Sequence, residues 1–229
     1  MLKELINQHY ADKAEQRNKD HFYVSDAGKC PRKIYFKFKD YPQEEPDGRA
    51  MRIFDYGDYT HLRLSSVLTS MGIVRGLEVD IPPQEDVGGR ADAIVSVDNE
   101  LYVVDFKTIS HFSFSKLDGP KSDNEKQLQL YMHYFDIDKG ILLYEDKNNQ
   151  AIKEFVLEYD EDMVEEVLGK FDMLKDYIER EEVPPIPENI EDWRCKYCNF
   201  QNACKKVESS KFDNPTEKQG GQDNFSFDE

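Results

Sequence analysis

Asp92, Asp105 and Lys107 are the residues of this 229-residue chain whose types and spacing could do chemistry. Asp92 lies in Gly89-Arg90-Ala91-Asp92-Ala93-Ile94, and the other two lie in Tyr102-Val103-Val104-Asp105-Phe106-Lys107-Thr108. Ala93 to Val97 and Leu101 to Val104 read as strands about a polar turn at Asp98-Asn99-Glu100, which makes a β-hairpin. Pairing these strands brings Asp92 and Asp105 close enough to share one divalent cation. Lys107, two residues past Asp105, points to the same face. Carboxylate oxygens suit a hard cation such as Mg²⁺. A cation held there polarises a phosphate, lowers the pKa of a bound water and offsets charge on a pentavalent transition state, while Lys107 would orient or deprotonate the water. The chemistry implied is metal-assisted phosphodiester cleavage. A D-x-K triplet by itself recurs by chance at strand ends, so its weight depends on the motifs that accompany it.

Four cysteines supply a second pattern. Cys30 is far upstream, whereas Cys195, Cys198 and Cys204 cluster as C-x₂-C-x₅-C. A chain of this length buries a sizeable core without disulfide staples, and it shows no leader-like or long apolar segment. Metal binding inside the cell, in the cytoplasm, is therefore expected over disulfides. Four thiolates would satisfy a structural Zn²⁺, although zinc sites usually draw on two close pairs. A [4Fe-4S] cluster accepts three ligands plus one distant one. Either centre would tie the end of the chain back to its beginning.

Taken together, Asp92, Asp105 and Lys107, His61 upstream, Gln127-Leu128-Gln129-Leu130-Tyr131 downstream and the bracketing cysteines resemble the PD-(D/E)XK nucleases of the RecB-like exonuclease group. The similarity is to its iron-sulfur subgroup, which includes CRISPR-associated adaptation exonucleases, the nuclease domain of the AddB helicase-nuclease and stand-alone viral and phage exonucleases. It spans roughly Ser25 to Cys204, with the motifs in the family's order. The resemblance implies that His61, in Gly57-Asp58-Tyr59-Thr60-His61, is a helix-borne metal ligand. It further implies that Asp92 and Asp105 are the acidic ligands, that Phe106 lends its backbone carbonyl to the metal and that Lys107 is the catalytic lysine. Gln127 and Tyr131 match the family's Q-x-x-x-Y pair; four apart on a helix, they share a face and could steady the lysine or touch the nucleic-acid backbone. Where the family often carries Glu in the last acidic place, this chain has Asp105, a shorter reach. The cofactors implied are Mg²⁺ or Mn²⁺ and a [4Fe-4S] cluster on Cys30, Cys195, Cys198 and Cys204.

The elements that must position these groups can be read coarsely. Leu2, Leu5, Ile6, His9 and Tyr10 recur at helical spacing. Tyr59 to Leu68 could be one helix carrying His61, and Glu125 to Phe135 one carrying Gln127 and Tyr131. Tyr41 to Gly48, with prolines and acids, is expected to be a loop. Gly140 to Tyr144 and Ile152 to Leu157 bracket Lys147-Asn148-Asn149 as a second hairpin. Met163, Val167, Phe171, Leu174 and Ile178 form a helical stripe, ended by Pro184, Pro185 and Pro187. Mixed strands between helices predict an α/β fold: a central mixed sheet flanked by helices, in one nuclease domain over residues 1–207. Residues 208–229, with six acids against two lysines, are expected to be a disordered acidic tail. Such a tail could dock a helicase, single-strand-binding or integration partner.

Thirty basic against forty-seven acidic residues leave a net charge of −17, which opposes tight non-specific binding of duplex DNA. It favours a strand threaded to the site or delivered by a partner. Local basic runs supply candidate DNA contacts at Arg32 and Lys33 and at Lys116, Lys121 and Lys126, with Phe112 and Phe114 available to stack on bases. No P-loop is present to drive unwinding. The reading is a metal-dependent DNA exonuclease acting on single strands or DNA ends, with no membrane association. A CRISPR-adaptation trimming nuclease and a non-cleaving DNA-end-binding subunit are the alternatives.

Overall fold

In the computed structural model, which describes residues 1–13, 19–84, 86–188 and 190–213, the expected hairpin is the centre of the molecule. The chain opens with α1 (Leu2–Ala11), the short strand β1 (Phe22–Tyr23), α2 (Pro31–Phe38) and the long helix α3 (Gly48–Ser70). Then follow β2 (Val74–Asp80), β3 (Val87–Gly88), β4 (Arg90–Val97) and β5 (Glu100–Ile109). Next come α4 (His111–Ser115), α5 (Ser122–Phe135), β6 (Lys139–Asp146), β7 (Ile152–Glu158) and α6 (Glu161–Glu179). The described chain ends with α7 (Asp192–Lys196) and α8 (Gln201–Asp213).

Five strands form one sheet in the order β2-β4-β5-β6-β7. The β4–β5 and β6–β7 pairs are antiparallel, and β5–β6 is parallel, as its crossover through α5 requires. Asp98 and Asn99 both take positive φ, 51° and 66°, which gives the tight turn between β4 and β5 the twist its strands need. The sheet is mixed because hairpins and a helical crossover alternate along the sequence, as the sequence pattern predicts.

Alternation along β5 divides its side chains between two layers. Val104 and Phe106 pack with Leu64 of α3, Ala93 and Val95 on one face. Val103, Leu142 and Tyr144 pack on the other with Leu128 and Met132 of α5 and Phe171 of α6. Gly140 lets α5 lie this close, because a Cβ there would meet Leu128 Cδ2 at 2.7 Å and Met132 Sδ at 2.8 Å. α6 is capped by Asp160, whose side chain accepts from the Met163 amide at 3.0 Å, and it buries Val164, Val167, Phe171 and Leu174. Its buried stripe runs through Val164 rather than the expected Met163, one residue along.

Two boundaries differ from the sequence expectation. The helix bearing His61 starts eleven residues before Tyr59, at Gly48, because Asp47 caps it by accepting from the Ala50 amide at 2.7 Å. Its first turns lie against α1, where Gly48 is buried and Arg52 donates to Asn7 Oδ1 at 2.5 Å, a contact between elements that the sequence does not announce. α8 continues through residue 208 to Asp213, and Glu208 pairs with Arg32. The rest of the expected tail, 214–229, lies outside the described residues. Among the described residues no helix is long and apolar enough to cross a membrane.

Candidate active site and cysteine-lined cavity

Strand register places the two carboxylates. The β4–β5 ladder ends at Ala93↔Val104, so Asp92 and Asp105 are the next residues out on each strand. Beyond that last rung, Asp92 Oδ2 accepts the Phe106 amide at 2.6 Å. Phe106, whose carbonyl is the expected metal contact, also fixes the neighbouring carboxylate through its N–H, a backbone contact no sequence motif announces.

α3 and α5 approach these strand ends from opposite sides. From α3, His61 Nδ1 lies 3.1 Å from Asp92 Oδ1, with the imidazole edge-on to the Phe106 ring. Burial works against the protonated imidazole, but the Asp92 hydrogen bond and charge outweigh it and raise the His61 pKa above its ordinary value. From α5, Gln127 Oε1 accepts from Lys107 Nζ at 3.2 Å while its Nε2 donates to Asp105 Oδ1 at 3.2 Å. Tyr131, one turn later and buried, donates its hydroxyl to the Arg90 carbonyl at 2.7 Å, tying α5 to the start of β4. The Q-x-x-x-Y pair is thus a brace: Gln127 spans lysine and carboxylate, and Tyr131 fixes the helix that carries it.

Asp105 is 3% exposed, and burial raises its pKa to about 6. The Asp92 charge adds to that shift, against the opposing pull of Lys107. Lys107 Nζ is 2.7 Å from Asp105 Oδ2, yet that oxygen, fully buried, has no hydrogen bond of acceptable geometry. A buried carboxylate oxygen without a hydrogen bond, on a strand beside a second carboxylate and an imidazole, belongs to a donor set whose chemistry suits a hard divalent cation. The side chains pair with one another, and among the described residues no three His, Cys, Asp or Glu groups stand at metal-ligand geometry.

All four cysteines line a cavity of about 560 Å³. Cys30 caps the start of α2, Cys195 lies in α7, Cys198 follows it and Cys204 lies in α8. Two of the sulfurs already receive hydrogen bonds: Cys198 Sγ from the Phe200 amide and Cys204 Sγ from Arg32 Nη1, both at 3.4 Å. The four thiols, one cavity and donors aimed at sulfur fit a thiolate-bound centre. Beside it, Arg194 makes a two-pronged pair with Asp123, Nη1 to Oδ2 at 2.7 Å and Nη2 to Oδ1 at 3.0 Å. That joins α7 to the first turn of α5, one turn before Gln127.

The basic residues expected to touch nucleic acid are not gathered in one channel. Arg32 is 2% exposed and donates Nε to the Pro184 carbonyl at 2.8 Å, besides its contacts with Cys204 and Glu208, so it faces the cysteines. Lys33 is half-buried and lines the same cavity. Lys126 pairs with Glu166 at 2.6 Å. Lys116 lies 4.1 Å over the exposed Phe112 ring, whereas Phe114 is buried in the core. Lys121 is exposed. Proximity in sequence to a motif put these residues forward, but burial and local acids have claimed Arg32, Lys33 and Lys126.

A family model described as the PD-(D/E)XK nuclease superfamily matches residues 1–205. The CRISPR-associated exonuclease Cas4 of Saccharolobus solfataricus is 29% identical over 216 residues, covering 89% of this chain and 95% of that protein. The crystal structure of SSO0001 superposes with a TM-score of 0.57 at 25% identity, over 90% of this chain and 97% of the other. LHK-Exo in complex with dAMP, an alkaline exonuclease from Laribacter hongkongensis, gives 0.53 at 15% identity over 78% and 93%, a likeness of fold alone.

Proposed function

The chain belongs to the PD-(D/E)XK nuclease superfamily, and on that premise we propose that it is a metal-dependent DNA exonuclease hydrolysing single strands or DNA ends with Mg²⁺ or Mn²⁺. The observation that carries the reading is the Asp92–Asp105–Lys107 constellation, with His61 on one side and Gln127 on the other. Asp92, Asp105, His61 and the Phe106 carbonyl would hold the cation. Once bound, it supplies charge neutralisation at the phosphate and acidifies a water. Lys107, held by Gln127 and Asp105, orients that water and stabilises charge on the phosphorane. Tyr131 is a positioning residue, acting through α5. The cysteines would hold a [4Fe-4S] cluster that supports α7, α8 and, through Arg194–Asp123, α5.

Similarity to a CRISPR-associated exonuclease favours one particular setting for the same chemistry, the trimming of DNA fragments before integration. A non-cleaving end-binding subunit is disfavoured, because every acidic ligand and the lysine are in place.

Anaerobically purified protein is expected to shorten end-labelled linear single strands with Mg²⁺ or Mn²⁺, to stop in EDTA, and to leave circular single strands intact. Cutting of circles would show an endonuclease, and failure on every substrate with each metal would remove the proposal. The site also sets a pH limit. Asp105 holds a proton up to a pH of about 6 in the metal-free protein, and His61 titrates above its ordinary value. A cation must displace those protons, so Mn²⁺ affinity measured by calorimetry should fall at least about tenfold per unit below pH 6. An affinity flat from pH 5 to 7 would place the metal elsewhere.

A further inference from the structure

Arg49, Arg52, Ile53 and Tyr56 recur at three- and four-residue spacing on one side of α3, and with Lys147 they line a cleft of about 350 Å³. Several cations of this acidic protein are matched by acids, as in Arg63–Glu145, Arg90–Asp80, Lys126–Glu166 and Lys139–Glu100. The three cations of this cleft, clustered on one helix face and the adjoining turn, are not. Among the described residues none of them forms an ion pair, and no acid lines the cleft. Arg52 donates only to neutral acceptors, Asn7 Oδ1 and the Gly48 carbonyl, and lies over the Tyr10 ring. Burial lowers the Lys147 pKa with no carboxylate to offset it, a penalty that an anion in the cleft would relieve.

Both walls of the cleft are fastened to β5 immediately after Lys107. Gly57 lies over Thr108, whose Oγ1 would be 3.7 Å from a Cβ at that position. The Lys147 amide donates to the Ile109 carbonyl at 2.9 Å, and the Tyr56 hydroxyl reaches the Lys147 carbonyl at 3.4 Å. His61 follows Tyr56 by five residues, about 7.5 Å along the helix axis. The cleft therefore begins where the catalytic strand ends.

We propose that this cleft holds the nucleic-acid strand just outside the active site, Arg49 and Lys147 taking backbone phosphates and Tyr56 stacking on a base. An aromatic ring beside unpaired cations suits a single strand, whose base faces are open, and not a duplex. The proposal rests on the nuclease reading for its place in the reaction, while strand binding itself can be measured without cutting.

The test uses Arg49→Gln/Lys147→Gln and Tyr56→Ala, with Lys206→Gln on the exposed side of α8 as a control for lost charge. Binding of a fluorescein-labelled oligothymidylate of about 20 nucleotides, longer than the site, is followed by anisotropy in EDTA across a salt series. The double variant should bind at least about tenfold more weakly at low salt. Its slope of log K against log salt should be shallower by roughly 1.4, two phosphate contacts at about 0.7 each. Tyr56→Ala should lose about tenfold in affinity with an unchanged slope. With Mn²⁺, KM on the long strand should rise in both variants, while turnover of a small phosphodiester, bis-p-nitrophenyl phosphate, stays at the wild-type rate. Folded variants that bind with wild-type affinity and slope would overturn the cleft and leave the nuclease intact. A wild type that cuts nothing would overturn the nuclease reading, and the EDTA titrations would still decide the cleft.

Discussion

Lys107→Ala is expected to lower strand cleavage by about 10²–10⁴-fold, the range for a residue that positions a proton or stabilises transition-state charge. The loss should fall on kcat, because the ammonium does its main work on the transition state. Strand binding in EDTA should change far less, since binding draws on several cations. The fold should survive: Lys107 is half-buried at a strand end, and Gln127 still has Asp105 to bind. Removing the ammonium also leaves Asp105 buried beside Asp92 without its main counter-charge, so its pKa should rise further above about 6. The variant's Mn²⁺ affinity should then begin to weaken at a higher pH than the wild type's. Wild-type turnover by Lys107→Ala would show that Asp92, Asp105 and Lys107 are strand-end charges and not the site. A steady-state assay with labelled single strands, beside circular dichroism of the same preparation, decides it.

Cys195→Ala is expected to do the opposite, removing structure first and activity as a result. The wild type purified without oxygen should be brown with visible absorbance, and the variant should be colourless. The cysteine cavity joins α2 to α7 and α8, so a centre bound there contributes folding free energy outright. For a chain this size each kcal/mol lost lowers Tm by about 2–4 °C. A contribution of only about 4 kcal/mol, well under what structural metal sites supply, gives a drop of about 10 °C. Activity should fall too, because α7 holds the first turn of α5 through Arg194–Asp123, and α5 carries Gln127. A colourless wild type with one zinc per chain would replace the cluster by a structural Zn²⁺ and leave the stability argument standing. A variant with the same Tm as wild type purified without oxygen, with neither carrying iron or zinc, would show that the thiols are ordinary half-buried residues.

Which parts were readable in advance follows from the range of the interactions. The Asp92–Asp105–Lys107 set was legible because a hairpin with a tight turn fixes register, and period-two alternation then fixes which side chains share a face. The α5 pair Gln127 and Tyr131 came from the resemblance, with helical period showing only that they share a face; the division of labour was not legible, since Tyr131 reaches a backbone carbonyl on β4 that no spacing rule indicates. His61 too came only from the resemblance. Its partner lies thirty-one residues away on another element, and a single histidine on a helix face carries no signal of its own.

The basic residues show the limit most plainly. Arg32 stood next to a motif cysteine and looked like a surface cation, yet its partners, Pro184, Cys204 and Glu208, are all contributed by the far end of the chain. Arg49, Arg52 and Lys147 drew no attention as sequence, being single charges scattered among acids. Local patterning determined the hairpin chemistry, the mixed α/β architecture and a cysteine set suited to one metal centre, because each depends on residues near in sequence or on simple composition. Tertiary structure alone decided which cations remain unpaired, which carboxylate is buried enough to hold a proton to about pH 6, and how the cysteine segment braces α5. Desolvation and ion pairing depend on what packs around a charge, and those neighbours come from elements whose order along the chain does not reveal who will meet whom.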